Sequence, residues 1–131
     1  MRVYWPNFAK RDGLIHVVAQ DATSKTILMS AFVDEAGFRE TLQTGEAVYW
    51  STSRKERWKK GESSGNTQKV RGIFIDCDGD AVIYLVEQTG GACHTEAWSC
   101  FYRCVTAPDE EFIYDAPKAG EKDALSIIEL P

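Results

Sequence analysis

Short apolar runs separated by polar turns divide most of the chain into segments typical of strands. Five runs are bounded by glycine, aspartate or other polar residues and are rich in valine, isoleucine and aromatic side chains. They cover residues 14–20, 26–33, 47–51, 69–76 and 81–87. Asp78 and Gly79 form a dipeptide typical of a hairpin turn between the last two runs. The pattern predicts a strand-rich domain.

One segment between these runs has the features of a helix. Asp34 can cap it, Gly45 can end it, and Phe38 and Leu42 would share one face. Gly37 inside the segment weakens a helix by about 1 kcal/mol relative to alanine. We therefore expect an α+β fold, a small strand-rich domain with one main helix.

The rest of the chain adds little regular pattern. Residues 100–105 are apolar and short, which fits either a strand or a helical turn. The following segment is acidic and ends with a small apolar group that could dock on the core: Leu125, Ile127, Ile128 and Leu130. The 131 residues contain no repeat or low-complexity tract, and 44% are hydrophobic, so we expect a single domain over residues 1–131.

Charge and targeting signals narrow the class of protein. The net charge of −5 argues against binding of a nucleic-acid polymer. Residues 54–60 hold five basic side chains and one glutamate, a local charge of +4, which fits a small anionic ligand or a solvated charged face. No signal-peptide or transmembrane run is present, which predicts a cytoplasmic protein without a membrane partner. Cysteines in that compartment favour metal binding or catalysis over disulfides.

The cysteines form the first candidate site: Cys77, Cys93 and Cys100, with Cys104 as an additional thiol. Thiolates are strong zinc ligands, and a catalytic zinc takes about three protein ligands. No pair has CxxC spacing, so the spacing alone is equally compatible with buried, unligated cysteines. His94 follows Cys93 directly and could transfer a proton or act as a fourth ligand.

An acidic turn surrounds Cys77. Asp76, Asp78 and Asp80 place three carboxylates within five residues, which suits magnesium or calcium, although a solvated turn is the alternative. The turn is not an EF-hand, because Ala81 occupies the position that requires glycine. A thiol among carboxylates resists ionising unless a cation is close, which favours a metal nearby.

Two polar loops, at residues 50–54 and 60–65, combine hydroxyls, glycines and basic side chains, as phosphate oxygens require. The second loop lacks the Gly-Lys-Ser/Thr ending of a Walker motif. Trp50 and Trp58 could stack on a base, although tryptophans in such segments more often pack in the core.

Four motifs follow one another within residues 12–103: TGEAVYWSTSR, KGESSG, DCDGD and ACHT-x3-SCFYR. In this order they resemble the phosphoribosyl-AMP cyclohydrolase family of histidine biosynthesis. The resemblance leaves residues 104–131 as a C-terminal extension. The resemblance implies an intertwined homodimer with active sites at the subunit interface. Cys77 of one subunit would join Cys93 and Cys100 of the other around zinc.

The resemblance also implies a reaction. Water activated by zinc would attack C6 of the adenine ring of 1-(5-phosphoribosyl)-AMP, and the N1–C6 bond would open to give the formimino-carboxamide nucleotide. His94 would be the catalytic histidine, and Asp76, Asp78 and Asp80 would bind magnesium. The implied substrate-binding residues are Trp50, Ser51, Ser53, Arg54, Trp58, Lys60, Gly61, Glu62, Ser63, Ser64, Gly65 and Gln68.

The chain departs from the family pattern near these loops. Glu96 stands where glycine is usual, and Thr52, the pair 66–67 and the pair 97–98 replace other residues. These departures leave open a diverged hydrolase acting on another purine nucleotide. A non-catalytic, zinc-stabilised binding module is a second alternative. We expect one activity only, since residues 104–131 are too few for the pyrophosphohydrolase domain fused to some relatives.

Overall fold

The computed structural model describes residues 4–107 and 110–113. A 3-10 turn over Phe8–Arg11 precedes the regular elements. These are β1 Leu14–Asp21, β2 Ile27–Asp34, α1 Glu35–Thr44, β3 Val48–Ser51, β4 Glu56–Lys59, β5 Gln68–Ile75, β6 Ala81–Gln88, β7 Arg103–Ala107 and β8 Glu110–Ile113. The small strand-rich α+β domain with one main helix is confirmed; the homodimer stays a prediction. In the described residues, no helix combines the length and apolar character that a membrane crossing needs.

Six strands form one sheet in the order β4-β3-β2-β1-β6-β5. Neighbouring strands are antiparallel except β1 and β6, which run parallel. A parallel pair needs a long crossover, and here it contains α1 and the four strands β2, β3, β4 and β5. β7 and β8 form a separate two-stranded sheet, so a strand is the correct alternative for the end of the 100–105 segment. The apolar group at residues 125–130 lies outside the described residues.

Helix α1 covers one face of the sheet. The Asp34 carboxylate accepts a hydrogen bond from the Gly37 amide at 2.8 Å, and Gly45 ends the helix with a φ of 75°, so both predicted caps are confirmed. Phe38 packs on Tyr84 with ring centroids 6.4 Å apart. Leu42, predicted to share that face, is 53% exposed because only the Phe38 side of the helix meets the sheet.

Close packing explains the glycine inside α1. A Cβ at Gly37 would lie 2.9 Å from both Asp34 Oδ1 and Val33 Cγ2. Only glycine lets the first turn of the helix approach the end of β2 this closely. Glycine at position 37 lowers helix propensity, but a larger residue would not fit between α1 and the end of β2.

The opposite face of the sheet is apolar and open in the described residues. Phe32, Ile83 and Phe74 are exposed there, on β2, β6 and β5. Ile83 pairs with Phe74 across β5 and β6, and also with Val18 of β1. Side chains alternate along a strand, so these residues share the face that α1 does not cover. An exposed apolar patch of this kind is typical of an interaction surface.

Candidate active site

A thiol pair lies where the chain leaves β6. The Cys93 amide donates to Ala97 O at 3.2 Å and closes a tight turn after the predicted break at residues 89–91. The Cys100 amide donates to Leu28 O at 2.7 Å and fixes that residue beside the start of β2. The two thiols are close enough to share a hydrogen bond. The structure therefore brings together two of the three predicted zinc ligands.

The environment makes the two thiols unequal. Burial opposes ionisation of Cys93, but hydrogen bonds from Thr95, 3.0 Å away at its Oγ1, and from Cys100 outweigh it and lower the Cys93 pKa. The positive charge of Lys60 acts in the same direction. Partial desolvation and the neighbouring Cys93 raise the pKa of Cys100 to about 11. The surroundings therefore favour the thiolate at Cys93 more than at Cys100.

Cys77 lies at the other end of β6 and is exposed. That strand has 8 residues and at ~3.3 Å per residue spans about 23 Å. In the described part of the chain, one set of three or more potential metal ligands has its ligand atoms within 4.8 Å of one another, and it contains no cysteine. A single chain therefore does not assemble Cys77 with Cys93 and Cys100.

His94 is exposed in the turn that carries Cys93. The other histidine, His16, is half-buried in β1, where its Nε2 lies 2.5 Å from Ser30 Oγ and its ring packs beside Phe32. His16 is therefore engaged in packing and hydrogen bonding within the sheet, whereas His94 is accessible beside Cys93.

The acidic turn between β5 and β6 brings its three carboxylates together. Ligand oxygens of Asp76, Asp78 and Asp80 all lie within 4.8 Å of one another. Asp76 Oδ1 accepts backbone hydrogen bonds from Gly79, Asp80 and Ala81 at 2.9, 3.1 and 3.3 Å. The donor set, three carboxylates at one turn, has the hard-oxygen chemistry that magnesium prefers.

Two basic residues from the 3-10 turn already contact these carboxylates. Lys10 Nζ lies 2.5 Å from Asp78 Oδ2 and 3.4 Å from Asp80 Oδ2. Arg11 Nε lies 2.9 Å from Asp80 Oδ2, and this hydrogen bond is the main cause of the lowered pKa of Asp80. Sequence analysis missed both residues, because nearly seventy positions separate them from the turn.

The first predicted substrate loop lines a cavity of about 310 Å³. Its lining includes Trp50, Ser51, Ser53 and Trp58. Ser51 Oγ accepts from the Arg54 amide at 3.2 Å, so the first loop forms a compact polar turn. The structure thus places these predicted substrate-binding residues in or beside one concave surface.

Lys60 connects this surface to the thiol pair. Its Nζ lies 5.8 Å from the centroid of the Trp58 ring, and the lysine interacts electrostatically with Cys93 and Cys100. Burial lowers the pKa of Lys60, although the two thiols oppose that change. A basic group therefore lies between the cavity and the thiols.

The second predicted loop turns at two glycines. Gly61 and Gly65 have φ angles of 80° and 79°. A Cβ at Gly61 would lie 2.4 Å from the Asn66 carbonyl carbon, so this turn requires glycine. Glu62, Ser63 and Ser64, the other predicted substrate contacts in this loop, are exposed.

Gln68, predicted to contact substrate, is fully buried at the start of β5. Its Oε1 accepts from the Tyr49 hydroxyl at 2.5 Å, and its Nε2 donates to Gln88 Oε1 at 2.8 Å. This geometry indicates a positioning role for Gln68 in place of the direct substrate contact predicted from sequence.

Much of the basic segment at residues 54–60 serves the fold. It contains β4, which sequence analysis did not predict, at the edge of the sheet. Arg54 pairs with Glu56 at 3.5 Å and Arg57 with Glu40 at 3.9 Å, while Lys59 pairs with Glu46. Each of these three basic side chains therefore has an acidic partner on the protein surface.

The departures near Cys93 also have structural meaning. Glu96 has a φ of 72°, a conformation that favours glycine, the residue usual at this position in the resembled family. Trp98 is only 1% exposed and belongs to the hydrophobic core. The departure at position 98 therefore places a large side chain in the core.

Comparison with known proteins agrees with the motif order. The model of the phosphoribosyl-AMP cyclohydrolase family matches residues 29–102. The chain is 52% identical to the phosphoribosyl-AMP cyclohydrolase of Haloquadratum walsbyi over 105 residues, 79% of this chain and 80% of that protein. It is 58% identical to the phosphoribosyl-AMP cyclohydrolase of Archaeoglobus fulgidus over 91 residues, 70% and 84% of the two chains.

A third relative has a different organisation. The histidine biosynthesis bifunctional protein HisIE of Deinococcus radiodurans is 55% identical over 97 residues, which cover 74% of this chain but 44% of that protein. The segment that the family model matches, residues 29–102, includes the thiol pair, His94, the acidic turn and both polar loops. The chain belongs to the phosphoribosyl-AMP cyclohydrolase family.

Proposed function

We propose that this chain is a phosphoribosyl-AMP cyclohydrolase of histidine biosynthesis. It would add water across the N1–C6 bond of the adenine ring and release the open formimino-carboxamide nucleotide. The observation that carries the proposal is the family match over residues 29–102, which contains every candidate metal ligand and His94. Relatives at 52% and 58% identity bear the name of this activity.

Zinc is the metal that the thiol pair would hold. Cys93 and Cys100 share a hydrogen bond, and the lowered pKa of Cys93 favours the thiolate that metals bind. Zinc, when bound, supplies Lewis acidity that makes water a nucleophile near neutral pH. Two thiols leave such a site one protein ligand short of the usual three, so a further ligand is needed.

We propose that the third ligand is Cys77 of a second copy of the chain. Two observations support this: Cys77 lies at the far end of β6 from the pair, and an open apolar face occupies the same sheet. Burying Phe32, Ile83 and Phe74 against a second copy would stabilise a dimer. The active sites would then lie between the two subunits.

Magnesium is the cation that the acidic turn would take, through Asp76, Asp78 and Asp80. Its role would be to neutralise substrate phosphates, which a chain of net charge −5 otherwise repels. Lys10 and Arg11 contact the same carboxylates, so a divalent cation must compete with them there. Binding at this turn is therefore expected to be weaker than the carboxylate count suggests.

The remaining roles follow from where side chains lie. His94, exposed beside the thiol pair, would accept the proton of the attacking water and then deliver it to the departing ring nitrogen N1. Ser51, Ser53 and Arg54 would donate to phosphate oxygens at the cavity rim. Trp50 and Trp58 would line the surface against which a base can lie.

The activity is tested by incubating purified protein with phosphoribosyl-AMP, zinc and magnesium while following the absorbance of the opened product. We expect His94→Ala to lower kcat by about 10²–10⁴-fold with zinc content unchanged. His16→Ala is the matched histidine control and should retain turnover. A fully metallated wild type without turnover would refute the proposal, and an unaffected His94→Ala would favour a binding module.

A diverged substrate is the second candidate, and two departures favour it. Thr52 lines the cavity, and Asn66 adjoins the second loop. A panel of purine nucleotides decides between the two candidates. The highest kcat/KM for phosphoribosyl-AMP supports the main proposal, and a higher value for another N-substituted purine nucleotide supports the second.

A further inference from the structure

A buried line of polar side chains runs from the core to the segment that carries Cys93. It consists of Tyr49 on β3, Gln68 on β5 and Gln88 at the end of β6. Tyr49 and Gln68 are fully buried and Gln88 is 6% exposed. Buried polar groups are costly unless they are hydrogen-bonded, so three in contact need a structural reason.

The contacts of Gln88, at one end of this line, determine which group donates and which accepts in every hydrogen bond of the line. Gln88 Nε2 faces the backbone carbonyl oxygens of Asn66, Thr67, Thr89 and Gly91, at 3.3, 3.5, 2.9 and 3.5 Å. Carbonyl oxygens only accept hydrogen bonds, so the amide nitrogen must lie on this side.

The other two members follow from that orientation. Gln88 Oε1 then faces Gln68 and accepts from its Nε2 at 2.8 Å, which turns Gln68 Oε1 toward the Tyr49 hydroxyl. Tyr49 donates that hydroxyl proton, so each amide has one compatible orientation.

The four carbonyls belong to two different segments of the predicted site. Residues 66–67 follow the polar loop at 60–65, and residues 89–91 lead into Cys93. A direct backbone bond from the Thr89 amide to Thr67 O, 2.9 Å, joins the same two segments. A Cβ at Gly90 would lie 2.2 Å from Asn66 Oδ1, so the segments are in close contact. Gln88 therefore ties the thiol-bearing segment to the predicted substrate loop.

We propose that Gln88, oriented by Gln68 and Tyr49, is a positioning residue that fixes the Cys93 segment for metal binding. The inference rests on the proposed zinc site. Groups that hold ligand-bearing segments in place commonly contribute to metal affinity without touching the ion. Gln88 Nε2 contacts the carbonyl oxygens at the two ends of residues 89–91 and so sets where Cys93 lies relative to Cys100.

Gln88→Met removes the amide donors while keeping a side chain of similar size. Tyr49→Phe is the milder second variant, since it deletes one hydroxyl and leaves Gln88 in place. Thr41→Val is the matched control: it removes two buried hydrogen bonds, to Gly37 O and from the Val48 amide, on the α1 side of the molecule. Thermal melting of all three gives the loss of stability against which the other readouts are compared.

Hydrogen exchange of the metal-free protein gives the first readout. The amides of Ala92 and Cys93 donate to Trp98 O and Ala97 O at 3.1 and 3.2 Å. We expect both to exchange at least about tenfold faster in Gln88→Met, with a smaller change in Tyr49→Phe and none beyond the stability effect in Thr41→Val. Exchange that matches the control in both variants overturns the proposal.

Zinc affinity, measured by competition with a chelator, gives the second readout. We expect about 10- to 100-fold weaker binding in Gln88→Met and an altered visible spectrum of the cobalt-substituted protein, with Thr41→Val unchanged. Affinity equal to the control overturns the positioning role. A wild type that binds no zinc refutes the proposed function instead, whereas the exchange readout still judges whether Gln88 holds the segment.

Discussion

The two ends of β6 carry the two candidate cation sites, and they differ in how complete each is within one chain. At the beginning of β6, the carboxylates of Asp76, Asp78 and Asp80 contact one another and already bind Lys10 and Arg11. At the end of β6, Cys93 and Cys100 form a pair, and no third cysteine joins them among the side chains that the structure describes. The first region has two cationic partners for three carboxylates within its own chain, while the second has two of the three ligands that a catalytic zinc usually takes.

This difference points to where a second copy is needed. The acidic turn is assembled from one chain and already contacts a lysine and an arginine of that chain, so it does not require another chain to form. A pair of thiols that needs one more ligand does, and Cys77 is exposed at the opposite end of the same strand. The exposed apolar face of the sheet supplies a surface on which two copies could meet.

Removing a thiol from the pair at the end of β6 should have the largest effect on zinc binding and turnover. Cys93→Ser is expected to lower zinc affinity and turnover by at least about 10³-fold, because a serine hydroxyl is a far weaker zinc ligand than a thiolate. Zinc content by elemental analysis and initial rates provide the measurement. Cys104→Ser is the control and should keep both; retained zinc in Cys93→Ser would remove that residue from the site.

Removing a competing lysine at the acidic turn should have a smaller effect, and it should strengthen metal binding. Lys10→Met removes the ammonium that contacts Asp78 and Asp80, and we expect manganese, as a probe for magnesium, to bind about tenfold tighter. Titration followed by electron paramagnetic resonance gives the affinity. Lys25→Met, at a distant turn, is the control. Unchanged or weaker binding in Lys10→Met would show that the lysine does not compete with the cation.

The smallest effect is expected from the strained residue near the thiols. Glu96→Gly should raise the free energy of unfolding by about 0.5 kcal/mol, since relief of a positive φ slightly exceeds the entropy cost of glycine. Denaturant unfolding of the metal-free protein measures it. Zinc affinity should stay within about twofold; a clear loss of stability would mean that the Glu96 side chain makes a contact worth more than the strain.

The sequence predicts local elements better than it predicts contacts between them. Strands and the α1 caps follow from apolar runs and from Asp34 and Gly45. β4 was missed because its residues, Glu56–Lys59, are mostly charged and lack a strand pattern. The parallel pairing of β1 with β6 arises from tertiary packing, which no local pattern encodes.

The candidate site shows the same limit. Cys93, Cys100 and His94 were found because their residue types imply chemistry. The family resemblance implies substrate contact for Gln68, yet its amide is hydrogen-bonded to Tyr49 and Gln88 inside the core. Polar side chains that pair with one another in the interior are not distinguishable from surface residues in a single sequence.

Mixing two inactive variants tests the central claim, a zinc site shared between two chains. Cys77→Ser and Cys93→Ser should each be inactive alone. Co-expressed, they form mixed dimers in which one site keeps Cys77 from one chain and Cys93 with Cys100 from the other. Random pairing then restores about one quarter of the wild-type sites. Recovery of turnover and zinc to that level is the predicted result; no recovery in dimers shown to be mixed would contradict the shared site.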